Sequence, residues 1–95
     1  MPAYWIATLD VTDPEKYKGY VERAPAAIKK YGGRTLSLSG DALVLEGEPP
    51  RSRIALIEFD SVEQAKACYD SPEYQEAVGH RKDAAVAQFF VVDGI

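Results

Sequence analysis

Few side chains in this sequence can do chemistry, and they lie far apart along the chain. His80 is the single histidine, and a group that titrates near neutral pH is the natural general acid or base. Its setting, Val78-Gly79-His80-Arg81-Lys82, falls late on a helix. In a pocket the adjacent cations would hold it neutral, which suits a base. The plainer reading is a solvated histidine beside Arg and Lys. No HxxxH, HxH or Cys-His spacing accompanies it, so no metal site is expected. Glu58 lies in an apolar run, on the side shared by Ile54 and Leu56. A carboxylate there is either paired, with Arg34, Arg53 or Arg81 as candidates, or sits at a cavity edge with a raised pKa. It could also reach water, since the strand ends one residue later. Glu58 and His80 are the candidate catalytic residues.

Arg81 follows Tyr74 by seven residues and shares a helix face with it, Ala77 and Val78. An arginine so placed snorkels, pairs with an acid, or offers its fork to a carboxylate-bearing ligand. Arg34 is a second candidate for holding an anionic group. Tyr17, Tyr20, Tyr31, Tyr69 and Tyr74 fall on the expected inner sides of helices. Tyr20 and Tyr74 are, with Arg81 and Arg34, the candidate substrate-binding residues at a cleft rim, although core and interface packing suit tyrosine equally. Cys68, the only cysteine, has no adjacent cation or histidine and reads as a small buried hydrophobe. GxGxxG, GxxxxGK(S/T) and GxSxG are all absent. No cofactor is expected.

The elements that must position these residues follow from patterning. Ala3 to Leu9 is aromatic and β-branched and reads as a strand. Asp13 and Pro14 then open a helix, cap followed by N1 proline. Tyr17, Tyr20, Val21, Ala24, Ile28 and Tyr31 make one face of it, and Gly32-Gly33 stops it. Pro25 predicts a bend or loosened turn near Val21 to Pro25. In Thr35 to Glu46, Leu36 and Leu38, then Leu43 and Leu45, flank Ser39-Gly40-Asp41. Either a tight hairpin or one strand with a bulge at Ser39 to Asp41 fits, and the bulged or broken strand is preferred because each half is short. GEPPRS, residues 47–52, is a surface loop. Arg53 to Phe59 is the clearest strand. Ser61 caps the next helix with Gln64 as capping-box partner, and Ser71-Pro72-Glu73 restarts it as a second piece carrying Tyr74, Ala77, Val78, Arg81 and Ala85. Gln88 to Val92 is the last strand.

The order strand, helix, strand, strand, helix, strand predicts a single α+β domain over residues 1–95. It is a ferredoxin-like βαββαβ sandwich, a four-stranded antiparallel sheet with its helices on one face. A chain of 95 residues and 10.5 kDa has room for one core. A formal charge of −4 with scattered Lys and Arg argues against a nucleic-acid surface. No apolar run approaches a membrane span. The opening MPAYWIATLD lacks a basic n-region and a cleavage site, so neither a signal peptide nor a location outside the cytoplasm is expected. Yet three strands are largely apolar on both sides: Tyr4 and Ile6 against Trp5 and Ala7, Ala55 and Ile57 against Ile54 and Leu56, Phe90 and Val92 against Phe89 and Val91. Helices cover only one side, so the spare face is expected to meet a second copy of the chain.

Gly32-Gly33-Arg34, Glu46-Gly47, Glu58-Phe59, Ser61-x-x-x-Ala65 and Ser71-Pro72-Glu73-Tyr74-Gln75-x-Ala77 followed by Arg81 occur in an order that, with Tyr17-x-x-Tyr20 and the terminal Asp93-Gly94, resembles the DUF1330 family. That family is a group of uncharacterised proteins within the dimeric α/β-barrel superfamily. Two positions depart from its pattern, Asp60 in place of a proline and Cys68 in place of a tryptophan. The resemblance implies a ferredoxin-like protomer whose open sheet packs on its twin as a dimeric α/β barrel. The superfamily is functionally mixed, with small monooxygenases, isomerases, dehalogenases and heme-degrading enzymes. Two functions follow as expectations. One is a cofactor-independent enzyme acting on a small organic substrate, an anionic one where arginine holds it, by proton transfer, isomerase- or monooxygenase-like. The other is a non-catalytic binding or structural dimer. A partner-regulated subunit that adds a strand at a sheet edge is a third.

Overall fold

The computed structural model describes all of residues 1–95. β1 (Ala3–Val11) alternates buried Ala3, Trp5, Ala7 and Leu9 with more open residues, the period of a strand covered on one side. α1 (Pro14–Lys30) starts where Asp13 accepts the Lys16 N–H at 3.2 Å and Pro14 occupies the first turn. It buries Tyr17, Tyr20, Ala24, Ala27 and Ile28. Gly32, at φ +85°, turns the chain out of the helix. β2 (Arg34–Ser39) and β3 (Arg53–Phe59) follow, then α2 (Val62–Asp70), α3 (Pro72–Arg81) and β4 (Ala85–Asp93). Ser71 divides α2 from α3, and its hydroxyl accepts the Tyr74 N–H at 3.1 Å while donating to the Cys68 carbonyl at 2.7 Å.

The strands pair antiparallel in the order β2-β3-β1-β4. The core lies between the helices and one face of the sheet, where Trp5, Phe59, Tyr74 and Cys68 are almost wholly buried. Across the other face run Tyr4, Ile6, Ile54, Leu56, Phe90 and Val92, none of them in the core cluster. No helix is long and apolar enough to cross a membrane.

The expected barrel does not form. β2 and β4 are the two edges of the sheet and do not pair with each other, so the sheet is open. A closed barrel needs strands enough to bend the sheet round on itself, about eight for a small one, and this chain supplies four. Three further expectations change, and that for Pro25 holds. Residues 40–52 form an irregular connection, and Leu43 and Leu45 belong to no strand, so neither the hairpin nor the long bulged strand occurs. The irregularity in the ladder falls earlier, between Thr35 and Ser37. Pro25 stays inside one continuous helix. That agrees with the expectation of one helix loosened near Val21 to Pro25, since the missing proline N–H leaves the Val21 carbonyl without the usual donor. Gln64 does not close a capping box with its side chain. Its Nε2 donates to the Tyr31 carbonyl at 2.7 Å, sealing the end of α1 instead. Ala85 belongs to β4, because Asp83, at φ +64°, breaks the chain away after α3.

Candidate functional site

A cavity of about 580 Å³ opens between α1 and the β2–β3 side of the sheet. Its floor is a consequence of register. Leu38, Ala55, Ala7 and Phe89 form one row across the four strands, on the helix side. Two alanines in the middle of that row leave room that larger side chains would fill. Tyr17, Tyr20, Val21, Ala24, Pro25 and Ile28 of α1 make the roof. Ser39, Gly40, Ser52 and Arg53 frame the open end. Arg53 is the only charged side chain in the wall, and its guanidinium lies 5.4 Å from the centre of the Tyr17 ring. A cationic head over an aromatic face keeps the stem extended along apolar surface.

Behind the roof, the Tyr20 and Tyr74 hydroxyls share a hydrogen bond of 2.6 Å that ties α1 to α3. The Tyr74 ring meets Trp5 edge-on at 5.1 Å. The Arg81 guanidinium is stacked over two rings, 4.0 Å from the centre of Phe89 and 5.1 Å from that of Tyr20. Burial pushes the Tyr20 hydroxyl up to about 12. It raises Tyr74 further, helped by the adjacent Tyr20, and raises Tyr17 against the pull of Arg53 and Arg81. All three therefore stay protonated at neutral pH and can donate but not act as bases. Burial also raises the Cys68 thiol to about 11, which makes it a poor nucleophile.

The six residues singled out from the sequence fall in three places. Tyr20 lines the cavity, with Tyr74 and Arg81 packed behind it. Glu58 and Arg34 stand on the opposite face of the sheet, joined by an ion pair of 3.1 Å, and Arg34 also reaches Asp60 at 2.9 Å. Asp60, one of the two departures from the family pattern, thus has a defined partner. His80 lies against Gly19 of α1, so close that a Cβ there would sit 2.7 Å from the imidazole Cγ. It is not part of the cavity wall. No three His, Cys, Asp or Glu side chains gather in a way that could hold a metal ion. Arg53 entered the sequence reading only as a possible partner of Glu58. The alternation of RIALIEF puts Arg53 on one side with Ala55 and Ile57, but both sides of that strand are apolar, so nothing local marked this side as the covered one.

Solved structures share this fold at low identity. A protein of unknown function from Rhodopseudomonas palustris superposes with a TM-score of 0.78 at 21% identity, covering 99% of this chain and 82% of that one. SnoaB, a cofactor-independent oxygenase from Streptomyces nogalater, gives 0.69 at 9% identity, with 99% and 93% covered. An ethd family protein from Bacillus halodurans gives 0.69 at 14%, with each chain fully covered at 100%. At these identities the likeness is one of fold. Against curated protein sequences the chain has no match. The family model described as a domain of unknown function, DUF1330, matches residues 2–95, and the chain belongs to that family.

Proposed function

We propose that this protein takes a small, mainly apolar organic anion into the cavity beneath α1 and converts it without a cofactor, Arg53 holding the negative group at the open end. The observation that carries this reading is the make-up of the wall, mainly aromatic and aliphatic, with Thr35, Ser39 and Ser52 as its neutral polar side chains and one guanidinium at its mouth. Its volume is that of an ordinary small-molecule site, and a guanidinium recognises a carboxylate or enolate by charge and by paired N–H donors. The wall holds no carboxylate, imidazole or thiol, so the substrate would bring its own acidity. An enol or phenol that ionises readily would leave its charge to Arg53. Proton transfer within such an anion is the isomerase-like outcome, and its oxygenation by molecular oxygen, the electrons coming from the substrate anion itself, is the outcome suggested by SnoaB, a cofactor-independent oxygenase of the same fold. In this reading Tyr20 shapes the roof, Tyr74 and Arg81 position it, and Glu58, Arg34 and His80 lie outside the cavity. The same lack of a base favours binding without turnover as the second reading.

The proposal includes a homodimer formed through the open sheet face, whose apolar residues neither helix layer covers, and a cytoplasmic location. Trp5, the only tryptophan, lines the cavity and reports on it. Titrating 4-tert-butylbenzoate and its neutral amide against Trp5 fluorescence should give at least tenfold tighter binding of the carboxylate. Arg53→Gln should erase that preference. Equal binding of the two compounds, or none in the millimolar range, would overturn the reading. Turnover of an acidic enol then separates enzyme from binding protein.

A further inference from the structure

The five arginines of the chain are not compensated alike. Arg23, Arg34 and Arg51 each pair with a carboxylate. Arg53 and Arg81 pair with none, and both end on tyrosine rings instead. The Arg53 guanidinium is 5.4 Å from the centre of Tyr17, the Tyr17 and Tyr20 rings are 5.4 Å apart, and Arg81 is 5.1 Å from the centre of Tyr20. This run of contacts carries two positive charges and no acid. The Arg81 Nε is buried without an acceptor. A ring face attracts a cation but does not neutralise it, and a desolvated charge without a counter-ion is costly.

The hydroxyls of the cavity wall show where an anion would meet this charge. Tyr20 is bonded to Tyr74, Ser39 accepts the Asp41 N–H at 3.0 Å, and Ser52 donates to the Asp10 carboxylate at 2.9 Å. Thr35 is exposed and lies opposite Ile57, at the other end of β3 from Arg53, where water satisfies it. Tyr17 is the exception. It is only 7% exposed and belongs to the wall, yet its hydroxyl bonds to no protein group, and it is not sealed from accessible space. Unmade hydrogen bonds on a buried hydroxyl are unfavourable, and phenylalanine would fill the same place without them. A guanidinium 5.4 Å over the ring centre stands roughly 6 Å from the hydroxyl oxygen, so one oxygen accepting from both at about 2.8 Å fits between them.

We infer that Tyr17 is a further substrate-contacting residue, its hydroxyl donating a hydrogen bond to the same anionic oxygen that Arg53 holds. This rests on the cavity reading above and narrows its substrate class. The charge must sit on an oxygen that fits between a phenol and a guanidinium, as in a phenolate, enolate or carboxylate, with the apolar body running inward over Ala7 and Ala55. The proton stays on Tyr17, which burial keeps protonated at neutral pH. Its hydrogen bond strengthens as charge builds on the oxygen.

Equilibrium dialysis of 4-nitrophenol against the full chain tests this at about pH 9, where the probe is a phenolate and Tyr17 is not. Its methyl ether, 4-nitroanisole, keeps the ring and lacks the charge. Tyr17→Phe removes a hydroxyl that no protein group uses, and circular dichroism melts check that it and Arg53→Gln fold. Wild type should bind the phenolate at least tenfold more tightly than the ether. Tyr17→Phe should bind the phenolate at least tenfold more weakly than wild type, and the ether within threefold of it. In the wild type itself, the absorption band of the bound phenolate should move to shorter wavelength as its oxygen accepts hydrogen bonds. A Tyr17→Phe variant within threefold of wild type for the phenolate, or equally weakened for both compounds, reduces Tyr17 to packing. Either result overturns the inference and leaves the cavity reading standing, as does an unshifted band on a tightly bound phenolate. A wild type that binds neither compound, or both equally, overturns the cavity reading and the inference with it. If Arg53→Gln keeps the phenolate preference, no oxygen is shared between the two side chains, and the inference fails.

Discussion

The tyrosine pair behind the cavity makes alkaline pH the sharpest probe of the packing. Each hydroxyl ionises near 10.0 in the unfolded chain, whereas the native state holds Tyr20 up to about 12 and Tyr74 beyond it. Above the unfolded value the native protein therefore binds two more protons than the unfolded one, and stability falls as pH rises. The stabilisation is complete below about pH 10 and is lost progressively toward the folded values. Each tyrosine contributes about 1.4 kcal/mol per pH unit, so two units for Tyr20 amount to about 3 kcal/mol, and Tyr74 adds about as much over the same interval. Against a total of about 5–15 kcal/mol for a domain, that is enough to unfold the chain. The comparison that isolates the effect is urea unfolding, followed by circular dichroism, of the wild type and Tyr20→Phe/Tyr74→Phe. The double variant removes both partners of the 2.6 Å bond and leaves no orphan, so it should lie within about 1 kcal/mol of wild type at pH 9. Lysines such as Lys30, held protonated by Glu73, titrate alike in both proteins and cancel. By about pH 12 the variant should be several kcal/mol the more stable. A difference constant to about 1 kcal/mol across that range would refute the argument that burial holds these protons.

Three further outcomes are expected. Phe59, wholly buried and stacked on Trp5 at 5.7 Å, should cost about 3–5 kcal/mol when replaced by alanine, read from urea midpoints. Gly19→Ala should destabilise by about 1–2 kcal/mol through collision with His80; in a His80→Ala background the same change should instead stabilise by up to about 1 kcal/mol, the helix preference for alanine. Glu73 is held below the usual carboxylate range chiefly by its hydrogen bond to Lys30, so its contribution is present above pH 4.5 and lost as pH falls through the folded value. The melting temperature of Glu73→Gln should accordingly fall less steeply than wild type in acid, as scanning calorimetry would record.

Much of the architecture is legible from local signals. Asp13-Pro14 and Ser71-Pro72 mark helix starts because an oxygen acceptor followed by a residue without an N–H satisfies the first turn, and both helices begin there. RIALIEF spans the observed β3 residue for residue. The segment from Thr35 to Glu46 misleads because Leu-Ser-Leu and Leu-Val-Leu have equal claims to a strand, yet β3 has one free edge on that side and β2 takes it. The second triplet has no ladder to join. The barrel fails on a similar count, since closure concerns how many strands are available and not what any strand is made of.

The site divides along the same line. Spacing puts Tyr74 and Arg81 on one helix face and Tyr20 on the inner side of another, and the structure stacks the three together. Nothing local tells which side of the sheet those faces cover. That choice puts Glu58 and Arg34 on the open face and brings Arg53 to the cavity mouth. Side-chain alternation repeats every two residues whichever face is buried, so the sequence by itself determined three of the four strands, the helix starts and the excess of apolar surface. Only tertiary packing, by laying α1 over the Ala7–Ala55 pair, decided where the cavity lies and which arginine guards it.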